Sequence, residues 1–261
     1  PKKIRIGIFA SSHSLIERVQ ILAARQSDQI FINTQGLDDA IPLARDMVRN
    51  GVEIIISRRG TAHMLRENLR IPVLSFPHRS LDILISLRRA ADGGRKILLP
   101  VFRQEWSGLE TLEDLLAIEI VQKVYEDKRS LGGIVDAARR EGCDVAVGGS
   151  VTQHFAEAMG LRFVEIRTSD EDVAATIEDA KSVAMSARDQ KAATRRYRAI
   201  IDAASDGIVA VDESGRITTV NAAASGLLKG DPEAFIGRPI TQLIPQCPIT
   251  QVMLTKHPIH D

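Results

Sequence analysis

The chain has 261 residues, enough for two or three domains, and its 34 basic and 34 acidic side chains cancel to zero net charge. That balance excludes a broad basic footprint for nucleic acid in this part of the protein. The two cysteines, Cys143 and Cys247, exclude a disulfide scaffold and a cysteine-rich metal centre, and they fit a reducing, cytoplasmic location. No apolar run approaches the ~18 residues of a membrane span, and PKKIRIGIFA turns polar too soon for a signal peptide. The opening at Pro1 rather than Met is expected of a piece of a longer protein.

In chain order, residues 4–10 read as a first strand, followed by the turn Ser11-Ser12-His13-Ser14, whose serines can cap a helix reaching about residue 26. Residues 30–34 read as a second strand. Asp38 and Asp39 then fall in the first turn of a helix that ends at Gly51. Residues 52–56 are mostly branched and apolar, as in a strand buried on both faces. The polar turn Ser57-Arg58-Arg59-Gly60 follows, Thr61 opens a helical run, and residues 71–76 form the next strand. A helix over residues 80–91 closes at Gly93-Gly94. This alternation argues for a parallel sheet with helices on both faces.

The pattern then restarts. Residues 96–102 read as a strand, 103–106 as a polar turn, 109–117 as a helix, 119–125 as a strand and 131–141 as a helix. Next comes a second version of an earlier stretch. VEIIISRRGTAHMLRENLRIPVLSF begins at Val52, and CDVAVGGSVTQHFAEAMGLRFVEIR begins 91 positions later at Cys143. The shift lays Gly51 on Gly142, Thr61 on Thr152 and His63 on His154. The expected architecture is α/β: two parallel-sheet lobes in tandem, residues 1–78 and 79–168, facing each other.

Ligands of open parallel sheets bind beyond the carboxyl ends of the strands. A strand that runs through a small polar turn into a helix offers free N–H groups and the positive end of the helix dipole. The candidate ligand contacts are therefore Ser11, Ser12, His13, Ser57, Arg58, Arg59, Gly60, Thr61, His78, Arg103, Gln104, Gly148, Gly149, Ser150, Val151 and Thr152. The arginines can hold a carboxylate with paired hydrogen bonds, the hydroxyls can donate, and the glycines let the backbone come close. A lone arginine in a turn is ordinarily a solvated charge, and Gly148-Gly149-Ser150 equally reads as a plain tight turn. Position in the duplicated motif is what favours Arg58 and Thr61. His63 and His154 read as partly buried structural histidines, because no carboxylate or cysteine stands near either at a ligand spacing. Cys143 reads as core. No metal and no cofactor are expected.

From Thr168, which with Glu171 has the spacing of a capping box, no Gly or Pro occurs until Gly207, so one long helix is expected over about residues 169–205. Small apolar residues at 173, 177, 180, 184 and 187 form a heptad seam, and Ala193, Tyr197, Ile200 and Ala204 continue it on a displaced face. The first part suits packing back on the first lobe, and the second suits pairing with another copy. Residues 207–212 and 217–220 then read as a hairpin around Asp212-Glu213-Ser214-Gly215. They open a third, α+β domain over 197–261, short for a stable domain and weakly patterned after Pro245.

Two resemblances attach to these residues. The region of residues 4–188 resembles the sensory domain at the start of propionate-catabolism regulators, which are sigma-54-dependent transcription activators. It rests on VEIIISRRGTAHMLR with IPVLSFPHRSLDIL after it, on GGRKILLPVF and on CDVAVGGSVTQHFAEAMG. Arg59 stands where that family usually has Gly. The resemblance implies two flavodoxin-like lobes in a chelatase-like arrangement, a final helix returning over them, and a small organic acid in the cleft, 2-methylcitrate in characterised members. From Tyr197, AIIDAASDGIVAVDESGRITTVNAAASGLLKG resembles the start of a PAS domain, with Asp212, Gly215, Asn221 and Gly237 at familiar positions. There is no flavin-type Asn-Cys-Arg motif, and His257 and His260 lie too late for a haem ligand, so dimerisation or relay is the role implied. The same resemblance implies an ATPase and a helix-turn-helix further on, and through them DNA and sigma-54 RNA polymerase as partners. Neither module is in this sequence, which lacks GxxxxGK[ST].

The reading is a cytoplasmic, non-enzymatic, ligand-sensing input region, homodimeric or larger through the linker helix and PAS. The competing reading is a two-lobed isomerase or racemase acting on a carboxylic acid. Such enzymes usually set acid/base pairs, often cysteines, on opposed turns. These turns carry Ser, Arg, Gly and Thr instead.

Overall fold

A computed structural model describes residues 3–10, 12–24, 28–255 and 257. Contacts divide it into two units, Pro1–Ser186 and Ala187–Asp261.

The first unit holds two parallel four-stranded sheets. β1 (Arg5–Phe9), β2 (Gln29–Asn33), β3 (Ile54–Ser57) and β4 (Val73–Ser75) lie in the order β2-β1-β3-β4. β5 (Lys96–Phe102), β6 (Glu119–Tyr125), β7 (Val145–Gly148) and β8 (Arg162–Glu165) repeat it as β6-β5-β7-β8. Burial follows sequence: the central strands β3 and β7 are buried throughout, while the edge strands β2 and β6 mix exposed and half-buried residues. β3 and β7 start 91 positions apart, as the sequence repeat predicts. Gly51 and Gly142, ahead of them, share the left-handed backbone, with φ of 87° and 81°.

The helices of the first lobe are α1 (His13–Ala23), α2 (Ala40–Arg49), reached through the 3-10 turn Leu37–Asp39, and α3 (Arg59–Asn68). α4 (Ser80–Ala91) follows β4 but buries Leu87 and Ala90 among Ile97, Leu99, Val145 and Val147 of the second sheet. In the second lobe come α5 (Leu109–Leu116), α6 (Lys128–Arg140) and α7 (Ser150–Ala158). α8 (Asp170–Asp202) then returns, burying Val173, Ile177, Ala180 and Ala184 against Ile4, Ile6, Ile8, Ile54 and Ile56 of the first sheet. The heptad seam thus covers an open sheet face in its first part. The helix starts one residue later than the Thr168–Glu171 spacing suggests. Ser169 Oγ accepts from the Asp172 N–H at 3.1 Å and donates to its carboxylate at 2.8 Å, and the Thr168 hydroxyl is left buried without a partner.

In the second unit, β9 (Val209–Val211) and β10 (Ile217–Val220) form the expected antiparallel hairpin, with Gly215 at φ 74° in its turn. α9 (Ala222–Leu228), α10 (Pro232–Phe235) and α11 (Ile240–Leu243) close a small core of Ile217, Val220, Ala224, Phe235 and Ile240. After Pro245, where the sequence shows little pattern, the chain forms the short helix α12 (Ile249–Thr255). Among the described residues, no helix is long and apolar enough to cross a membrane.

Candidate functional site

The strand-to-helix turns of the two lobes meet. At the centre is Arg58, which follows β3 and precedes α3. It donates to the Ile166 carbonyl at 2.9 Å and to Glu165 Oε1 at 3.2 Å, and Ser14 donates to the other Glu165 oxygen at 2.9 Å. Burial pushes the Arg58 pKa down, and the carboxylate of Glu165 opposes that shift. The Nε of Arg58 is buried with no partner. Beside it lies a cavity of about 60 Å³ lined by Leu37, Arg58, Gly60, Thr61, Tyr125 and residues 149–152. That volume has room for a few waters only.

The matched pair of threonines in the two turns is used for structure. Thr61 Oγ1 accepts from the Leu37 N–H at 2.8 Å, which steadies Leu37 at φ 53°. Thr152 is buried beneath Gly148, where a Cβ would meet its Oγ1 at 2.7 Å. Gly60 lets the lobes approach, since a Cβ there would stand 3.2 Å from the Phe102 ring of the second lobe. Ser57 donates to the Phe9 carbonyl at 3.3 Å. Ser12 caps α1 by accepting from the Leu15 N–H at 3.4 Å, and His13 is exposed, 3.1 Å from Glu17. Ser11 lies outside the described residues.

Two further bridges join the lobes. Arg103, at φ 57° after β5, makes a forked pair with Glu67 of α3 at 2.7 and 3.3 Å. Its hydrogen bonds hold the Glu67 carboxyl below its ordinary range. His63 joins them, 2.7 Å from Arg103 and 3.3 Å from Glu67. The carboxylate not found near His63 in the sequence is thus Glu67, one helical turn on. Even so, no three His, Cys, Asp or Glu side chains among the described residues converge as a metal site would need. Lys128 pairs with Asp39 at 2.5 Å beside a cavity of about 280 Å³ that Ser150, Val151 and His154 help to line.

The roomiest of these spaces is a cavity of about 830 Å³, within the ~300–1,000 Å³ of small-molecule sites. Arg59 and His78 from the first lobe and its exit, and Gln104, Glu105 and Trp106 from the turn after β5, form its polar side. Leu81, Ile83 and Leu84 of α4 with Leu109 and Leu112 of α5 form its apolar side. The Arg59 guanidinium stands 5.9 Å from the Trp106 ring centre. The Trp106 backbone is clamped by Gln122, N–H to Oε1 at 2.8 Å and carbonyl from Nε2 at 3.2 Å. His78 is pushed down to about 4, first by burial and then by Arg58 and Arg59, and its Nδ1 is buried without a partner. It is therefore neutral at neutral pH and has a ring nitrogen to spare.

The expected site residues thus separate. Arg59, His78 and Gln104 gather round the large cavity, and Arg58, Gly60, Thr61, Gly149, Ser150, Val151 and Thr152 round the small one. Ser12, His13, Ser57, Arg103 and Gly148 line none of these spaces. Sequence reasoning missed Trp106, Glu165 and the α4 wall. Trp106, the chain's single tryptophan, in a strand-to-helix turn, was a signal that could have been used.

Residues 24–190 match the family model described as propionate catabolism activator. The chain belongs to that family. Residues 195–260 match the PAS fold, so the family's sensory domain is followed by a PAS domain. A crystal structure of an NtrC family transcriptional regulator from Clostridium acetobutylicum is similar, with a TM-score of 0.66 and 19% identity over 71% of this chain and 98% of that one. That likeness bears on fold. The transcription regulator CcpA of Lactococcus lactis is more distant, with a TM-score of 0.42 and 11% identity over 71% of this chain and 92% of that one. A comparison with curated proteins gives no significant match. Family membership and the PAS domain make this a sensory region of the kind that transcription activators carry.

Proposed function

We propose that the chain is the ligand-sensing input region of a sigma-54-dependent activator and that it binds a small organic acid between its lobes. The observation that carries this is the 830 Å³ cavity, which brings Arg59 and His78, whose Nδ1 is buried without a partner, together with Gln104 and Trp106 at the lobe junction. A ligand that touches both sides favours one lobe arrangement by the difference in its contacts. α8 is seated on the first sheet and continues into the second unit's sequence, so it is the covalent route for the signal. In this reading the working parts are residues 1–78, 79–168, 169–205 and 197–261. The protein acts in the cytoplasm as a homodimer or larger through the linker helix and PAS, and DNA and polymerase are engaged by modules beyond this sequence. The family description favours propionate catabolism, and 2-methylcitrate is the acid that the resemblance implies.

Thermal-shift and calorimetric screening of the 261-residue chain against 2-methylcitrate, citrate, propionate and other organic acids tests this. At least one acid is expected to raise Tm in a concentration-dependent way, with the effect lost in Arg59→Ala. Catalytic turnover of an acid would replace the sensor with the isomerase-like reading.

A further inference from the structure

We infer that the large cavity takes a monocarboxylic acid with an apolar, ring-sized body, and not a tricarboxylate. This rests on the interlobe reading above, keeps its organic acid, and departs from the tricarboxylate that the resemblance implies.

The charge around the cavity is the first argument. Of the three arginines in the duplicated turns and their neighbours, two already hold carboxylates: Arg58 holds Glu165 and Arg103 holds Glu67. Arg59 is the arginine left to line the space, and the acidic side chain in the lining is Glu105. His78 adds no charge near neutral pH, because burial and the two nearby guanidinium groups keep it unprotonated. One carboxylate can be met by Arg59 with charge-assisted bonds. A second and third would find the hydroxyls of Ser80, Ser107 and Thr111 and the Gln104 amide, but no second arginine or lysine in the lining to offset their desolvation.

The walls are the second argument. Leu81, Leu84 and Leu112 line the same space as Trp106, whose backbone is clamped on both sides by Gln122. Apolar side chains and an aromatic ring lining one space suit a flat or compact hydrocarbon body. Arg59 sits over the same indole, so an acid whose carboxylate reaches Arg59 brings its body against Trp106.

Trp106 is the chain's single tryptophan, so its fluorescence reports this cavity alone. The test titrates the 261-residue chain with phenylacetate, cyclohexanecarboxylate, benzyl alcohol, citrate and 2-methylcitrate, following Trp106 emission and heat in parallel. Saturable binding of one or both ring acids with a change in emission is expected. Benzyl alcohol and the two tricarboxylates should bind at least about tenfold more weakly, as should the ring acids to Arg59→Gln. Leu84→Glu, which puts a like charge in the wall, should abolish ring-acid binding while the thermal melt stays cooperative. If a tricarboxylate binds more tightly than either ring acid and does so through Arg59, the ligand class is wrong and the interlobe site stands. If no acid binds, or binding is unchanged in both variants, the interlobe site itself is wrong and the ligand class falls with it.

Discussion

Arg58 and Glu165 form an ion pair across the lobe junction, nitrogen to oxygen 3.2 Å, with side chains only 14% and 15% exposed. Each copy of the repeat contributes one partner: Arg58 follows the strand of the first, and Glu165 ends the strand that closes the second. The pair is further tied by Ser14 and by the Ile166 carbonyl. An anion that sought Arg58 would have to displace these partners.

Removing one member should therefore cost more than removing both. Glu165→Ala leaves a buried guanidinium without its counter-charge and is expected to lower stability by roughly 3 kcal/mol. The paired change Arg58→Met with Glu165→Leu should cost clearly less, because no charge is then stranded. Urea denaturation of the three proteins measures the difference. Equal losses in the single and double variants would show that the pair is not buried in solution.

His78 makes the fold sensitive to mild acid. Its pKa falls from the ordinary 6.5 to about 4 through burial, with Arg58 and Arg59 adding to the effect. The unfolded chain then binds a proton between these values that the folded chain refuses. Stability from this group is complete above about pH 6.5 and is lost as pH falls toward 4, by about 3 kcal/mol at most. The parent should lose stability over that window faster than His78→Gln. Identical slopes of unfolding free energy against pH in the two proteins would place the ring in solvent.

Gly148 is a packing requirement rather than a hinge. A Cβ there would stand 2.7 Å from Thr152 Oγ1 and 3.0 Å from its Cβ, and Thr152 is itself buried. Gly148→Ala is expected to cost about 1–3 kcal/mol. The double change Gly148→Ala with Thr152→Ser, which removes a methyl group but keeps the hydroxyl, should recover only part of that. Thermal melts of the three chains decide it.

The strands and the repeat were legible because they rest on local pattern. Ile54, Ile55 and Ile56 announce a strand buried on both faces, and Gly51 announces the cap before it. Partnership across lobes was not legible. Arg58 and Glu165 are 107 positions apart, and nothing local distinguishes an arginine that will hold a carboxylate of its own chain from one waiting for a ligand. The same blindness hid Glu67, on whose carboxylate Arg103 closes. The exchange of α4 and α8 between sheets was half legible. The apolar seam at Val173, Ile177, Ala180 and Ala184 suits packing back on the first lobe, as found, while nothing in α4 alone says that its apolar face leaves the sheet it follows. Trp106 was overlooked because one aromatic residue has no period, although its place after β5 put it at a ligand-binding edge.

Asn221 ties several backbone segments of the second unit together through its side chain. It is fully buried, and its side chain serves four backbone groups. Its oxygen accepts from the Ile208 and Ala224 N–H groups at 2.8 and 2.9 Å, and its nitrogen donates to the Ile201 and Asp206 carbonyls at 3.0 and 2.9 Å. It thus caps α9 and fastens the chain between the end of α8 and β9 to the start of that helix. Asn221→Ala strands several backbone groups at once and should cost about 2–4 kcal/mol. Because contacts divide the chain at residue 186, the loss should fall on the second unit. Limited proteolysis is expected to cut the Asn221→Ala chain within residues 203–261 while a fragment ending near the end of α8 persists. If the whole chain is degraded together, the two units do not unfold independently, and Asn221 supports more than its own small core.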